Sequence, residues 1–194
     1  FNQVAGRFDR SYGPGRSLQA FGHLLLRLIP KLDIADLGSG EGLLSELLAM
    51  SAKSVIAVDN SQSMVDFGAR KAKENKIRNL DFRQGDIMQP PIDEQSVDVV
   101  ILSQALHHAK DPAVALKSAF RILRPGGNLM ILDLLQHDFE EAKALYGDVW
   151  MGFEESLLQK WLEKAGFTQI EIEAVAKEAE PPHFQTLLAT AFKE

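Results

Sequence analysis

The chain has 194 residues, of which 45% are hydrophobic, with a net charge of −6 and no cysteine. This length supports one sizeable core and favours a single domain, and the acidic balance argues against direct binding of nucleic acid. The lack of cysteine excludes disulfides and thiolate chemistry, and the histidines have no H-x₃-H spacing typical of a metal site. No apolar stretch is long enough to cross a bilayer, so we expect a cytoplasmic domain. The cysteine and histidine pattern leads us to expect no metal.

A buried strand that runs into a glycine-rich turn is the most informative feature of the chain. The letters I-A-D-L-G-S-G-E-G begin at Ile34, and an amphipathic helix follows them. Glycines accept left-handed conformations and let a ligand approach the backbone, and the helix start offers N–H groups. The spacing fits neither a dinucleotide fingerprint nor a P-loop, and Glu41 would repel a pyrophosphate. The turn therefore predicts a cationic or zwitterionic cofactor, with a merely tight turn as the alternative.

An acidic residue ends the next predicted strand, which covers 54–58. This residue, Asp59, follows Gly40 by 19 positions. In doubly wound folds an acidic side chain about 20 residues after the turn accepts the ribose hydroxyls of the cofactor. Asp86 stands in a similar place after the third predicted strand. The alternative for both residues is an ordinary turn or helix-cap carboxylate.

Strands and helices alternate along the chain, which predicts a parallel sheet covered by helices on both faces. The helix that follows Asp59 is expected to be capped by Ser61 or Asn60 and to place Met64, Val65, Phe67 and Gly68 on its inner side. The last two strands are expected to form a hairpin-like pair. The predicted strands are 34–37, 54–58, 80–84, 97–102, 128–132, 169–175 and 186–192, and the predicted helices after the glycine turn's own helix are 62–75, 113–123, 139–149 and 156–165.

Five short motifs occur in a characteristic order between residues 34 and 133. They are D-L-G-S-G-E-G, V-D-N-S, G-D-I, S-Q-A-L-H-H and R-I-L-R-P-G-G. This succession resembles the class I S-adenosylmethionine-dependent methyltransferases of the quinone-biosynthesis type. The resemblance implies a doubly wound, seven-stranded Rossmann-like α/β sheet, mostly parallel, whose last strand is antiparallel between its neighbours. It also implies S-adenosylmethionine as methyl donor, S-adenosylhomocysteine as product and an unidentified small-molecule acceptor.

The same resemblance implies roles for individual residues at the carboxyl ends of the strands. Asp59 would accept both ribose hydroxyls, and Asn60 and Met64 would flank the adenine. Asp86 would accept the adenine amino group, while Ile87 packs on the ring. Met64 is otherwise a core residue, and a serine that ends a strand is otherwise a helix cap. The remaining cofactor-binding candidates are Asp36, Gly38, Ser39, Gly40, Gly85, Ser103 and Gln104.

A histidine pair follows the fourth predicted strand. His107 lies four residues after Ser103, and a neutral imidazole near the methyl group would act as a general base for an acidic acceptor. His107 is therefore the catalytic candidate. The alternative is that one histidine packs in the wall of the cleft while the other faces solvent.

The acceptor pocket is expected from segments outside the shared motifs. Tyr12 and Arg16 flank a Gly-Pro-Gly turn and are both cofactor-binding candidates. Arg16 is a candidate clamp for the cofactor carboxylate, with a solvated arginine as the alternative. Four later aromatic residues have helical spacing, so we expect them mainly to be core residues, with substrate contact as the second expectation. They are Phe139, Tyr146, Trp150 and Phe153. The expected organisation is a helical cap at 1–30, a cofactor-binding core at 31–135, a helical acceptor-side segment at 136–165 and terminal strands at 166–194.

A second resemblance supplies an alternative function. Residues 132–142 and 146–153 are similar to methyltransferase-like domains fused behind a winged-helix repressor of the ArsR type. A chain that begins without methionine fits such a fragment. The resemblance implies a domain that senses S-adenosylmethionine or S-adenosylhomocysteine for a DNA-binding partner domain, with little or no catalysis. Related sequences methylate arsenic through cysteines, which this chain lacks.

Overall fold

Seven strands alternate with helices in the part of the chain that the computed structural model describes, residues 27, 28 and 30–194. A 3₁₀ turn at Leu106–His108 follows the fourth strand. The strands are β1 (Asp33–Leu37), β2 (Ser54–Asp59), β3 (Leu80–Gln84), β4 (Val97–Ser103), β5 (Leu123–Leu134), β6 (Thr168–Lys177) and β7 (Gln185–Phe192). The helices are α1 (Leu43–Ala49), α2 (Gln62–Glu74), α3 (Pro112–Ile122), α4 (Ala142–Leu145) and α5 (Glu155–Ala165).

The strands form one sheet in the order β3-β2-β1-β4-β5-β7-β6. Strands β1 to β5 are parallel, and β7 lies antiparallel between β5 and β6. The expected seven-stranded, doubly wound sheet with an antiparallel last strand is confirmed. The chain order reverses between β1 and β4, and open α/β sheets bind ligands beside such a reversal, at the carboxyl ends of the strands.

The core lies on both faces of the central strands. Strand β1 is buried along its whole length, and Leu102 of β4 and Ile131 of β5 are fully enclosed. Helix α3 contributes Leu116 and Ile122, both 0% exposed. Burial on both faces explains why the central strands are almost continuously apolar in sequence.

Two expectations about helices are wrong. The helix predicted at 139–149 is reduced to the single turn of α4, because Gly147 takes a φ of 77° and the following N–H groups bond outside the helix. In α2 the expected burial of Val65 and Gly68 is confirmed, together with Ala72, but Met64 and Phe67 are each 39% exposed, so their expected inward placement is wrong. Ser61 precedes α2, but its side chain makes no capping hydrogen bond.

Within the described residues, none of the helices combines the length and the apolar character that crossing a lipid bilayer requires.

An ion-pair network joins four strands, β1, β2, β4 and β5, near their amino-terminal ends. The Asp33 carboxylate accepts hydrogen bonds from Ser54 Oγ at 2.6 Å and Lys53 Nζ at 2.9 Å, and Arg124 Nη1 bridges it to Asp98. The hydrogen bonds from Ser54 and Lys53 lower the pKa of Asp33 to about 2, although burial opposes them. Because the folded-state pKa lies below the ordinary value, the network stabilises the fold above about pH 4 and loses this contribution as the pH falls toward 2.

We expect Asp33→Asn to lower the free energy of unfolding at pH 7 by about 2 kcal/mol, with a smaller difference from the parent chain at pH 2.5. Urea unfolding at both pH values measures this. Asp81→Asn is the matched control, because Asp81 pairs with Arg83 on the surface with 60% of its side chain exposed and such pairs contribute at most about 1 kcal/mol. An equal loss at both pH values would contradict the assignment of the stabilisation to the ionised Asp33.

Candidate functional site

A cleft of about 410 Å³ opens at the carboxyl ends of the central strands, beside the chain reversal between β1 and β4. Six of the residues singled out from the sequence line it: Gly38, Asp59, Asn60, Asp86, Ile87 and Gln104. The other lining residues are Met88, Ala105, His108, Ala109, Lys110 and Gly147. The sequence analysis missed Met88, Ala105, Ala109, Lys110 and Gly147, which carry no motif of their own.

The three glycines of the turn all have positive φ, but their surroundings differ. A Cβ at Gly38 would lie 2.4 Å from the Cβ of Ala105, and one at Gly42 would lie 2.3 Å from the Phe82 ring. These two glycines are required by packing within the protein. No described atom lies within 4 Å of the position that a Cβ would take at Gly40. Gly40 therefore borders open space, although it is not among the residues that line the cleft.

The backbone N–H groups of the glycine turn are largely used within the protein. Gly38 and Ser39 both donate to the carbonyl of Val58, at 2.8 and 3.0 Å, and Gly42 donates to the carbonyl of Ser39. Gly40 donates to the carboxylate of Asp59. A phosphate cradle needs such N–H groups to be free. The turn is therefore not built as a phosphate cradle, and the expectation that the start of the following helix offers N–H groups to a ligand stays a prediction.

Asp59 is held in a fixed position at the rim of the cleft. Its Oδ2 accepts the N–H of Gly40 at 2.8 Å, and its Oδ1 accepts the N–H of Ser61 at 2.9 Å. Each oxygen of an ionised carboxylate has two lone pairs, so each retains capacity for a further donor. The side chain can accept two hydroxyl groups of a ligand without giving up its backbone contacts.

Asp86 combines a turn role with a place in the cleft. Its Oδ1 accepts the N–H of Met88 at 2.8 Å, and it lines the cleft beside Ile87. Asp86 is therefore an ordinary turn carboxylate, as the alternative expected. Its other carboxylate oxygen, Oδ2, takes no part in this turn hydrogen bond. Asn60 lies across the same cleft and is exposed.

Gln104 is strained at the point where β4 ends. It has a φ of 52°, although it is not a glycine, and its N–H donates to the carbonyl of Leu132 at 2.7 Å. Residues that keep such a conformation concentrate at binding sites, where the surrounding structure fixes them. Ser103 precedes it, pairs with Leu132 in the sheet and does not line the cleft.

Other candidate residues act behind the cleft or away from it. Asp36 is 2% exposed and accepts a hydrogen bond from Ser45, which fastens α1 to β1. Burial raises the pKa of Asp36 to about 6, against the hydrogen bond from Ser45 and with help from the charge of Asp59. Direct contact with a ligand is therefore not expected of Asp36.

Three further candidates do not line the cleft either. Met64 points outward from α2, and a Cβ at Gly85 would meet Pro91 at 2.4 Å, so this glycine serves packing. The buried Oγ of Ser39 has no hydrogen-bond partner among the described residues. Tyr12 and Arg16 lie outside the described residues.

The two histidines have different surroundings. His107 is 5% exposed, its Nδ1 is 2.8 Å from Asp133 Oδ1, and its Nε2 is 3.5 Å from Asp148 Oδ1. Burial lowers the pKa of His107, but the hydrogen bond and charge of Asp133 and the charge of Asp148 outweigh burial, so the pKa is raised overall. His108 is nearly half exposed and lines the cleft in front of His107.

The four aromatic residues of the acceptor-side segment divide as follows. Phe153 is 1% exposed and belongs to the core, and Trp150 packs on it and donates from Nε1 to the carbonyl of Ala109. Phe139 packs edge-on against Phe184. Tyr146 is 60% exposed beside the cleft residue Gly147. Only Tyr146 of the four presents most of its surface to solvent.

Known proteins resemble this chain over the part that forms most of the cleft. The family model described as "Methyltransferase domain" matches residues 35–131, which is half of the chain. The demethylmenaquinone methyltransferase of Lactococcus lactis is 37% identical over 106 residues, covering 53% of this chain and 42% of that protein. The arsenite methyltransferase of Halobacterium salinarum is 30% identical over 154 residues, covering 75% of this chain and 39% of that protein. This chain thus spans about two fifths of the length of these relatives.

Solved structures give the same fold. Phosphoethanolamine N-methyltransferase 2 of Haemonchus contortus, in complex with S-adenosyl-L-methionine, superposes with a TM-score of 0.73 at 17% identity, covering 84% of this chain and 49% of that protein. At this identity the likeness shows the fold alone. The family match, the order of the strands and the cleft beside the chain reversal lead to one assignment: this chain belongs to the methyltransferase domain family, among the class I S-adenosylmethionine-dependent methyltransferases.

Proposed function

We propose that this domain transfers a methyl group from S-adenosylmethionine to a small-molecule acceptor. The observation that carries the proposal is the placement of Asp59, a carboxylate fixed by two backbone N–H groups at the rim of the cleft, with lone pairs left for two further donors. The ribose of the cofactor offers two adjacent hydroxyl groups. When bound, the cofactor supplies a methyl group on a positively charged sulfur.

The charge pattern of the cleft suits this cofactor better than a phosphate-bearing one. Asp59 and Asp86 line the cleft, Asp36 lies beneath the glycine turn, and the N–H groups of Gly38, Ser39 and Gly40 are already bonded. Carboxylates attract a sulfonium and repel a pyrophosphate. The volume of the cleft also falls within the range of roughly 300–1,000 Å³ of small-molecule sites.

We assign the donor end of the cleft to the turn after β1 and to the ends of β2 and β3. Asp59 accepts the ribose hydroxyls, Asn60 and Ile87 pack beside the adenine, and Asp86 accepts its amino group through the oxygen not used by Met88. The open space at Gly40 and the strained Gln104 lie on the methionine side. The roles expected of Met64, Tyr12 and Arg16 stay predictions.

The acceptor end lies at His108, Lys110 and Gly147. An acceptor in this position meets His108 first, with His107 behind it, and the general-base role expected of His107 stays a prediction. The named relatives act on a demethylmenaquinone and on arsenite. Arsenite chemistry would need thiolates that this chain does not contain, so we favour an organic acceptor with an acidic hydroxyl or carbon.

The alternative role of a cofactor sensor fused to a winged-helix domain gains no support from the relatives named above, which are methyltransferases. A DNA-binding partner domain stays a prediction from the sequence.

We expect Asp59→Ala to weaken the binding of S-adenosylhomocysteine at least about 100-fold, because two hydrogen bonds to a charged acceptor are lost. Isothermal titration calorimetry measures the affinity. Asp66→Ala is the control, since Asp66 is an exposed carboxylate on α2 whose contact is with Gln62 of the same helix. Retained affinity in Asp59→Ala, or an equal loss in Asp66→Ala, would refute the assignment of the ribose site.

The Gly40→Ala variant distinguishes the loss of space for a ligand from the strain of an alanine at a positive φ. A Cβ at Gly40 meets no described atom, so the substitution costs only the strain of a positive φ, about 1 kcal/mol, while its methyl group occupies space assigned to the cofactor. Gly126→Ala is the matched control, because Gly126 also has a positive φ and open surroundings but lies in β5, away from the cleft. We expect similar thermal shifts for the two variants without ligand, and loss of S-adenosylhomocysteine binding in Gly40→Ala only. Equal affinities in the two variants would show that Gly40 does not border the cofactor.

A further inference from the structure

A cluster of three potential metal ligands stands at the acceptor end of the cleft. Ligand atoms of His107, His108 and Asp148 all lie within 4.8 Å of one another. Asp148 Oδ1 is 3.5 Å from His107 Nε2 and 3.9 Å from His108 Nδ1. Two ligand atoms on one tetrahedral zinc ion, each about 2.0–2.1 Å from the metal, are roughly 3.4 Å apart. The cluster is therefore close to the spacing that one ion requires.

Asp148 is the residue that most needs a partner. Its side chain is 2% exposed, and its Oδ1 is buried without a hydrogen-bond partner among the described residues. A buried carboxylate oxygen that is not hydrogen-bonded is costly, because it has lost water without gaining a donor. The distance of 3.5 Å to His107 is too long for a hydrogen bond to meet this need. A cation between Asp148 and the imidazoles would meet it.

Asp133 prepares His107 to act as a ligand. The Asp133 carboxylate is 0% exposed, accepts the backbone N–H groups of Leu106 and Leu134, and contacts Nδ1 of His107 at 2.8 Å. Such a contact fixes the ring orientation and leaves the Nε2 lone pair for a metal, and this arrangement of carboxylate, histidine and metal recurs in zinc sites. The Nε2 atom is also the atom of the ring that faces Asp148.

We propose that His107, His108 and Asp148 bind one divalent transition-metal ion of the Zn²⁺ class. Two imidazoles and one carboxylate are the protein ligands of many catalytic zinc sites, which keep a fourth position open, whereas Mg²⁺ and Ca²⁺ prefer ligand sets made only of oxygen. His108 lines the cleft, so an ion held by it would lie next to the acceptor end. Metal binding replaces the 3.3 Å contact between His108 Nδ1 and the carbonyl of Gly147.

The ion specifies a class of acceptor, an inference that rests on the proposed methyl transfer. A hydroxyl group that binds the ion at its oxygen loses its proton to water more easily, because the metal stabilises the anion. The oxygen then forms a bond to the methyl carbon while the carbon–sulfur bond breaks, and the electron pair of that bond returns to sulfur to give S-adenosylhomocysteine. The acceptor is accordingly a small molecule with an acidic hydroxyl group, and the product is its methyl ether.

The test is a Zn²⁺ titration of the tag-free 194-residue chain, stripped of metal with a chelator, by calorimetry. A parallel Co²⁺ titration is followed by the visible absorption of four-coordinate cobalt. We expect one ion per chain. His108→Ala and Asp148→Asn should each weaken Zn²⁺ binding at least about 100-fold, since each removes one of three ligands. His108 is nearly half exposed, so its variant keeps the proposal testable if the buried Asp148 variant fails to fold. His183→Ala, an exposed histidine in the β6–β7 connection, is the control.

The outcomes separate this proposal from the proposed function. The absence of saturable Zn²⁺ binding, or equal affinities in His108→Ala and His183→Ala, would overturn the metal site. Calorimetry of the same metal-free protein with S-adenosylhomocysteine reports on the donor end alone, because none of the three ligands belongs to that end. Intact S-adenosylhomocysteine binding without Zn²⁺ binding leaves the methyl transfer standing and rejects the metal. Zn²⁺ binding without S-adenosylhomocysteine binding supports the metal site and rejects the donor site.

Discussion

The hydrogen bond from the Gly40 N–H to the Asp59 carboxylate connects the two strand ends on which the cleft depends. The glycine turn after β1 is also bound to the last residues of β2 through the carbonyl of Val58. These contacts fix the turn and the carboxylate relative to each other before any ligand arrives. A preformed acceptor of this kind binds without the cost of ordering its side chain. The glycine turn therefore acts by positioning a carboxylate, while its own N–H groups remain inside the protein.

The sequence was sufficient to predict the sheet and to bring Asp59 and Asp86 to one cleft. Apolar runs identify the strands, and in a parallel sheet the residues that follow each strand meet at one edge. Asp59 and Asp86 therefore come together although their separation along the chain is large, and the structure places both in the cleft. Boundaries at the glycine-containing start of β5 were less predictable, because the backbone pairing there extends to Leu123 before the apolar run resumes.

The cluster of His107, His108 and Asp148 was not predictable, because it depends on contacts between distant segments. The apolar residues Leu145, Tyr146 and Val149 have helical spacing, yet they are exposed and the helix stops at Leu145. The N–H groups of Val149 and Trp150 instead donate to the carbonyl of His107. This contact brings Asp148 to the histidine pair. A search for metal ligands at short spacing cannot find such a cluster, since its third member comes from another part of the chain.

Different parts of the sequence therefore determine the carboxylates Asp59 and Asp86 and the surroundings of the histidine pair. The family match covers residues 35–131, which include the donor end and the histidine pair, but it stops before Asp133 and Asp148. The orientation of His107 and the charge that faces it are set by these two later residues. The segment after β5 is fastened to the 3₁₀ turn by hydrogen bonds from the N–H groups of Val149 and Trp150 to the carbonyl of His107, which do not depend on the identity of their side chains. Side chains of this segment can thus change without disturbing the hydrogen bond between Gly40 and Asp59 at the other end of the cleft.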